Sequence, residues 1–320
     1  MTPAAERWRT ATALVLAAGA IVAWLTAGIF GHELIAQIAI LAIFAMSLDI
    51  LVGFTGMVSL GHAAFYGIGA YATAALGGVM LDWPPVAAML GAVAIAALAA
   101  LVIGAFVVRL GGVFFIMVTL AVGEAIHAYL FKARAFGGDD GLAGIVRPAI
   151  AALDLSLDDP RAFSAYALLI AALVYAGLEA VVRSPFGRLL VAIHQNQRRA
   201  RALGCPVGRV KLAAFTLAGA VAGLAGALTA QHTGFISPEL LVWTTSGEVL
   251  IVVIVGGMAS LVGPAAGAAA VVLASDALSG ATDYWMLFMG LAFIAVVLFA
   301  DRGLYGVVEG ARRRLSRAAR

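Results

Sequence analysis

Four polar residues lie within otherwise apolar stretches of the sequence and are the candidates for a functional role: Ser59, His62, Thr119 and Glu124. An ionised group in apolar surroundings is costly unless it is paired, so Glu124 needs a partner or a function. His127 follows three positions later on the same helix face, which permits a proton relay but favours a structural hydrogen-bonded pair. Other carboxylates lie near the ends of apolar stretches, where solvation is expected: Glu33, Asp49, Glu179, Glu248, Asp276 and Asp283.

Patterns that support catalysis are absent from the sequence. A P-loop needs G-x-x-x-x-G-K-[ST], and the only lysines, Lys132 and Lys211, neither follow a glycine-rich turn nor precede Ser or Thr. The histidines lack the i, i+4 spacing of a metal-binding helix, and the single Cys205 permits no disulfide within the chain. The Gly-Gly-Asp-Asp-Gly cluster at 137–141 lacks calcium-loop spacing and is typical of a tight turn. The chain is therefore predicted to be no enzyme, to bind no cofactor or metal, and to be unable to hydrolyse ATP alone.

The composition is that of a membrane protein with several crossings. Hydrophobic residues make up 63% of the 320 residues, charged residues only 12%, and the mean hydropathy is +1.05. Soluble globular domains are about 45–50% apolar and about 25% charged, so a soluble chain is excluded. The net charge of +3 does not indicate a nucleic-acid partner, because the basic residues concentrate in the tails and one loop.

The apolar stretches predict an all-α membrane bundle of about ten transmembrane helices, at about 20 residues for each crossing. Residues 1–320 are expected to form a single transmembrane domain, whose first helix is retained rather than cleaved as a signal peptide. The predicted segments are 11–30, 33–52, 58–80, 86–109, 112–131, 162–182, 211–232, 246–262, 264–280 and 284–300.

Positive charge assigns the two sides of the membrane. Arginine and lysine concentrate in the N-terminal tail, in residues 183–211, and in the C-terminal tail from Arg302. Even numbers of predicted crossings separate these three regions, so all three, and both termini, are expected in the cytoplasm. The Asp-containing loop 132–161 then falls on the periplasmic side.

The cytoplasmic loop 183–211 predicts a helix with defined ends. Ser184 can cap a helix that begins with Pro185, and Gly204 followed by Pro206 can end it. Such a helix can dock in the groove of a partner, or it can lie at anionic headgroups and fix the topology. The caps favour docking, and so does an apolar stripe formed by Leu189, Ile193, Ala200 and Leu203.

Two predicted helices are rich in small residues, which let backbones approach closely inside a membrane bundle. We expect both helices in the interior of the bundle. A short echo between G-M-V-S-L-G at 56–61 and G-M-A-S-L-V-G at 257–263 indicates an internal repeat. The small residues are Gly61, Gly67, Gly69, Gly77 and Gly78 in one helix and Gly219, Gly223, Gly226 and Ala227 in the other.

Several motifs together carry a family resemblance over nearly the whole chain. The longest is the stretch 48–71, which includes S-L-G-H-A-A-F-Y-G-I-G-A-Y at 59–71. The others are 112–120, 137–141, S-P-F-G-R at 184–188, 219–228 and 256–264. Together they resemble the permease subunits, of the LivM type, in branched-chain amino-acid ABC importers.

The resemblance implies a bacterial inner-membrane subunit surrounded by lipid, which pairs with a second related permease, two ATP-binding subunits and a periplasmic substrate-binding protein. ATP and Mg²⁺ would be held by the ATP-binding subunits alone. The expected solutes are leucine, isoleucine and valine, moved by alternating access. The resemblance also implies that loop 183–211 contacts the ATPase, through Ser184, Pro185, Phe186, Gly187, Arg188, Ile193, Ala200, Leu203 and Gly204.

Three positions depart from the family pattern: many members carry Asn, Gln and Arg where this chain has Asp49, Met57 and His194. These differences bear on gating and on the choice of solute. Related permeases carry urea, short amides or sugars, so urea, a short amide or another small polar solute is the alternative. A secondary transporter that works without an ATPase and an integral membrane enzyme are the alternative classes.

Overall fold

The computed structural model describes residues 3–78, 80–150 and 155–299, together with Gly303 and Gly306. The described residues form a helical bundle with four very short strands. Two features predicted from the sequence, the basic tail from Arg302 and the carboxylate of Asp154, lie outside the described residues.

The described part of the chain contains eleven α-helices, and a π-helical turn, Ile50–Thr55, continues the second. They are α1 (Pro3–Thr26), α2 (Ile29–Asp49), α3 (Ala63–Leu76), α4 (Pro85–Val107), α5 (Val113–Lys132), α6 (Pro160–Arg183), α7 (Pro185–Ala202), α8 (Val207–Thr233), α9 (Trp243–Gly256), α10 (Val262–Ser279) and α11 (Trp285–Phe299).

Each of the ten predicted apolar segments coincides with a helix, and the predicted membrane bundle is confirmed. Six helices among the described residues are long and apolar enough to cross a membrane: Ile29–Thr55, Pro85–Val107, Val113–Lys132, Pro160–Arg183, Val207–Thr233 and Val262–Ser279. Four apolar helices are shorter: Thr12–Thr26, Ala63–Leu76, Trp243–Gly256 and Trp285–Val296.

Two of the short helices, α3 and α9, differ from the segments predicted at 58–80 and 246–262. Each has 14 residues and is therefore about 21 Å long, which is less than the hydrocarbon thickness of about 30 Å. Non-helical loops at 56–62 and 257–261 lie within the apolar stretches. The two loops contain the echoed G-M-x-S-L sequences, so the echo marks two interrupted crossings.

The interior of the bundle is built on α2 and α8. Residues 42–49 of α2 are all buried, and α6, α8, α9 and α10 pack around this helix. Helix α8 packs closely on α3 and α4 because glycines face the neighbouring backbone: a Cβ on Gly69 would overlap the Gly223 carbonyl, and a Cβ on Gly226 would overlap the Tyr66 carbonyl. The predicted interior position of both glycine-rich helices is confirmed.

The segment between α5 and α6 closes one end of the bundle. Strand β1 (Leu142–Ala143) pairs antiparallel with β4 (Phe235–Ile236), and β2 (Ala149–Ile150) pairs antiparallel with β3 (Leu155–Ser156). The predicted tight turn at 137–141 is confirmed, since the three glycines of that cluster have positive φ angles. This segment precedes α6 and α7 follows it, so the two lie at opposite ends of a helix whose 24 residues span about 36 Å.

Candidate functional site

The helix predicted in the arginine-rich loop 183–211 is present as α7, and its N-terminus has the predicted cap. The Ser184 hydroxyl accepts hydrogen bonds from the amides of Phe186 at 3.1 Å and Gly187 at 3.4 Å, with Pro185 in the first helical position. Gly187 packs so closely on the end of α6 that a Cβ would overlap the Val182 carbonyl. These contacts fix the direction in which α7 leaves α6.

A kink divides α7, which the sequence did not predict. Asn196 has extended backbone angles, φ −162° and ψ 97°, inside the helix. Its side-chain oxygen accepts a hydrogen bond from the Arg199 amide at 3.0 Å, so Asn196 caps the second part of α7. The helix ends before Gly204, whose φ of +84° places it in the left-handed region, as the sequence predicted.

The two faces of α7 differ in burial and charge. Ile193 and Ala200 of the predicted apolar stripe are buried against this chain's own bundle, whereas Leu203 is 88% exposed. The exposed face is basic and carries Arg188, Arg198, Arg199 and Arg201, and α7 contains no acidic residue. The buried stripe therefore holds α7 on the bundle, and the arginines remain accessible for an acidic surface.

His194 fastens α7 to the π-helical turn at the end of α2. Its Nδ1 lies 2.8 Å from the Gly53 carbonyl oxygen, and because a carbonyl only accepts, this nitrogen carries the proton. The ring also lies against Gly56, where a Cβ would come within 3.1 Å of the imidazole. The Arg-rich helix is thus in contact with the first of the two interrupted crossings.

Asp49, at the end of α2, binds the loop of the second interrupted crossing. One carboxylate oxygen accepts a hydrogen bond from the Ala259 amide at 2.7 Å and the other from the Leu261 amide at 3.2 Å. The Asp49 side chain is fully buried, so the expectation that solvent covers it is wrong. The backbone amides of a distant loop replace water as its hydrogen-bond donors.

The expectation for the remaining carboxylates near helix ends was partly right. Glu248, Asp276 and Asp283 are exposed, and Glu33 is partly exposed. Glu179 is only 7% exposed and pairs with Arg183 of its own helix at 2.9 Å. Here too a protein partner, one helical turn away, takes the place of solvent.

The predicted route residues Ser59 and His62 lie in or next to the loop 56–62 and are fully buried. His62 stacks on Phe44 with ring centroids 5.7 Å apart, and its Nε2 is 2.8 Å from the Ser47 hydroxyl. The Ser59 hydroxyl and the His62 Nδ1 have no hydrogen-bond partner among the described residues. Both polar atoms are therefore closed off from solvent in this conformation and would have to be uncovered before a ligand could reach them.

Thr119 adjoins the same loop through its backbone. A Cβ on Gly61 would overlap the Thr119 carbonyl, so α5 and the loop are in direct contact. The Thr119 hydroxyl itself donates to the Ile116 carbonyl at 2.9 Å, within α5. The structure therefore brings Ser59, His62 and Thr119 into one region between α2, α3 and α5.

Glu124 lies one turn further along α5 and binds the start of α9. Its carboxylate accepts a hydrogen bond from the Trp243 amide at 3.1 Å and lies 3.6 Å from the His127 ring. A carboxylate at a helix N-terminus complements the positive end of the helix dipole. This contact supports the structural interpretation of the pair over a proton relay.

Ser246 was missed in the sequence, although it connects both interrupted crossings. Its buried hydroxyl accepts a hydrogen bond from the Ala63 amide at 2.8 Å, which joins the first turn of α9 to the first turn of α3. The N-termini of the two short helices therefore meet close to Glu124 and Thr119. A serine in the stretch W-T-T-S-G gives no sign of this contact, because its partner is 183 positions away.

The chain matches a protein-family model described as the permease component of the branched-chain amino acid transport system, over residues 32–297. Two similar proteins are the high-affinity branched-chain amino acid transport system permease proteins LivM of Escherichia coli K12 and of Salmonella typhimurium LT2. Each is 31% identical over 288 residues, which is 82% of this chain and 67% of the relative.

A third protein is also similar. The probable branched-chain amino acid transport permease protein LivM of Methanocaldococcus jannaschii is 26% identical over 207 residues, 59% of each chain. No solved structure matches the chain. The match over most of the bundle, together with the helical fold, shows that this chain belongs to the family of permease components of branched-chain amino acid transport systems.

Proposed function

We propose that this chain is the membrane-spanning permease subunit of an ABC importer that carries leucine, isoleucine and valine across the bacterial inner membrane. The observation that carries the proposal is the family match over residues 32–297, which includes both interrupted crossings and α7. Each of the two LivM relatives is named as a permease of high-affinity branched-chain amino acid transport. These names support the choice of solute.

The chain would act with an ATPase, because its sequence contains no P-loop, and with a binding protein, in line with its family. We propose that the chain is a transport subunit and not an enzyme, in line with the family's description as a permease component. We further propose the composition of the complex: a second related permease, two ATP-binding subunits that hold ATP and Mg²⁺, and one periplasmic substrate-binding protein. Lipid would cover the exposed apolar side chains of the outer helices, such as Leu98 and Phe106 of α4.

Helix α7 is the proposed contact with the ATP-binding subunits. Its arginines are exposed, its N-terminus is fixed by Ser184, and its buried face is anchored to the bundle. A helix held in this way can transmit a push from an acidic partner surface, which a flexible loop cannot. Among the residues proposed for this contact, Arg188 and Leu203 are exposed, whereas Gly187, Ile193 and Ala200 hold the helix in place.

The proposed route passes the region where the first turns of α3 and α9 meet. Here backbone amides at the starts of α9 and α3 bind Glu124 and Ser246, and a movement that frees these donors would offer them, with the positive ends of the helix dipoles, to the carboxylate of an amino acid. Ser59, His62, Thr119 and Glu124 border this region. Transport would proceed by alternating access, in which ATP-driven motion of α7 opens the route to one side of the membrane at a time.

Uptake by the complete transporter tests the proposal. Proteoliposomes would contain this chain with its genomically adjacent permease, ATP-binding subunits and binding protein, and would be offered labelled leucine, valine or urea. We expect ATP-dependent uptake of leucine and valine, which Arg188→Glu abolishes by reversing a charge on the exposed face of α7. Arg109→Glu, an exposed substitution outside α7, is the matched control and should retain uptake.

The outcomes separate the alternatives. Uptake of urea without branched-chain amino acids would redirect the solute but keep the permease. Uptake that persists when the ATP-binding subunits are omitted would overturn the ABC importer and favour a secondary transporter. Gly187 is left unchanged, because any side chain there would overlap the Val182 carbonyl and disturb folding.

A further inference from the structure

We infer that Asp49 and His194 are positioning residues that connect α7 to the loop between α9 and α10, and thereby couple the ATP-binding subunits to the second interrupted crossing. The inference rests on the proposed function of α7.

The first connection is the binding of the 257–261 loop by Asp49. Ala259 and Leu261 both have positive φ angles, of 58° and 54°. Such angles are unfavourable for residues other than glycine and persist only where surrounding contacts enforce them. The two amides of these residues point at the buried Asp49 carboxylate, which they bind as a small anion-binding concavity. The hydrogen bonds to Asp49 thus stabilise a conformation of the 257–261 loop that would otherwise be unfavourable.

The second connection is the π-helical turn that follows Asp49. Gly53 lies one turn later, and its carbonyl accepts the hydrogen bond from His194 of α7. On its other side Gly53 packs directly on Ala259, where a Cβ would overlap the backbone nitrogen. One turn of the chain therefore touches α7 and the 257–261 loop at the same time.

The π-helical geometry makes this turn suited to transmit a shift. A π-turn contains one more residue per hydrogen-bonded ring than an α-turn, and such turns occur frequently at functional sites in helices. The turn 50–55 is fully buried, so its displacement moves the atoms packed on it. Because Gly53 contacts both residues, a displacement of His194 would be transmitted to Ala259 through Gly53.

The 257–261 loop is directly connected to α9. This 14-residue helix has the 257–261 loop at its C-terminal end and Trp243 and Ser246 at its N-terminal end. Those two residues bind Glu124 of α5 and Ala63 of α3, next to the proposed route. A rigid helix carries a displacement along its length of about 21 Å. The connected elements therefore run from the ATPase contact to the route in the order α7, π-turn, loop, α9.

Hydrogen exchange on the purified full-length chain in detergent tests the connection without relying on transport. In His194→Ala we expect amides at 257–263 to exchange about threefold to tenfold faster than in the wild type, although His194 forms its hydrogen bond with Gly53 rather than with this loop. His194→Asn places an amide donor near the position of Nδ1 and should restore slow exchange. His32→Asn, which alters a buried histidine bonded to Ser164 elsewhere in the bundle, should leave this loop unchanged.

Asp49 is tested by graded substitutions in the same assay and in the reconstituted transporter. Asp49→Ala removes both acceptor oxygens, whereas Asp49→Asn keeps one. The solute moved per ATP hydrolysed should fall about tenfold in Asp49→Ala and less in Asp49→Asn. Asp159→Asn is the control, because this carboxylate also accepts a backbone hydrogen bond, but at the start of α6.

The two readouts separate failure of the inference from failure of the proposed function. Unchanged exchange at 257–263 in both His194→Ala and Asp49→Ala would overturn the connection, whatever the transporter does. A wild-type complex that takes up no branched-chain amino acid would overturn the proposed solute, while the exchange data would still decide the connection. Variants that lose transport and ATP hydrolysis in equal proportion would contradict a coupling role for these two residues.

Discussion

The backbone amide of Ala63 donates a 2.8 Å hydrogen bond to the hydroxyl of Ser246, and this bond joins the first turns of the two short helices α3 and α9. Both groups are buried. The amide is one of the N-terminal donors that a helix leaves unpaired, so Ser246 caps a helix to which it does not belong. The interrupted crossings are thus fastened to each other at the region that we propose for the route.

Ser246→Ala should destabilise this junction. The substitution leaves a buried amide without an acceptor, which costs about 1–3 kcal/mol. We expect a lower melting temperature of the purified chain and reduced uptake. Thr244→Ala, at an exposed position two residues earlier on the same helix, should change stability by no more than about 0.5 kcal/mol. Equal melting temperatures for Ser246→Ala and the wild type would argue against the capping role.

Substitutions of Glu124 distinguish a structural role from a proton relay. Glu124→Gln keeps an oxygen that can accept from the Trp243 amide but cannot exchange a proton at neutral pH, whereas Glu124→Ala removes the acceptor. If Glu124 caps α9, uptake should survive Glu124→Gln and fall clearly in Glu124→Ala. A relay through His127 would instead make both variants equally inactive.

Gly226→Ala should disrupt packing between α3 and α8. The added methyl group would overlap the Tyr66 carbonyl, and neither backbone can yield without moving its helix. We expect a loss of about 1–3 kcal/mol or more and low yield of folded protein. Gly177→Ala is the matched control: it lies in α6 with no atom near the new methyl group. There the better helix propensity of alanine should leave stability unchanged or raise it by about 0.5–1 kcal/mol.

Ser184→Ala tests the start of α7. Loss of the cap should cost about 1 kcal/mol, and amides at 185–188 should exchange faster. Ser184→Asp retains an acceptor for the Phe186 amide and should preserve slow exchange. If uptake falls in Ser184→Ala but not in Ser184→Asp, the defined direction of α7 matters for transport. Identical exchange in all three proteins would show that other contacts fix the helix.

The sequence predicted those elements whose signals are local. The Ser184 cap, Pro185 and the left-handed Gly204 define the two ends of α7 by residues next to it in the sequence, and each is present in the structure. Apolar stretches of sufficient length likewise located the helices. The kink at Asn196 was not predicted from the sequence. An asparagine within a helical stretch caps a second helical segment only if the backbone leaves the helical conformation there, and tertiary packing decides whether it does.

The sequence failed where partners are distant along the chain. Asp49 appeared to be an ordinary residue at a helix end, yet its donors lie 210 and 212 positions away. Ser246 and Ala63 are similarly remote. The G-M-x-S-L echo was the available signal, since it marks both loops of the interrupted crossings. This similarity could reveal a repeat. It could not reveal that the 257–261 loop is bound by the carboxylate of Asp49, which lies near the 56–62 loop.

The most direct test of the central claim compares leucine uptake into proteoliposomes that hold the complete transporter with uptake into otherwise identical vesicles whose ATP-binding subunits carry a substitution of the P-loop lysine. We expect ATP-dependent uptake in the first and none above background in the second. Leucine uptake of equal rate in both preparations would contradict an ATP-driven permease and would assign transport to this chain alone.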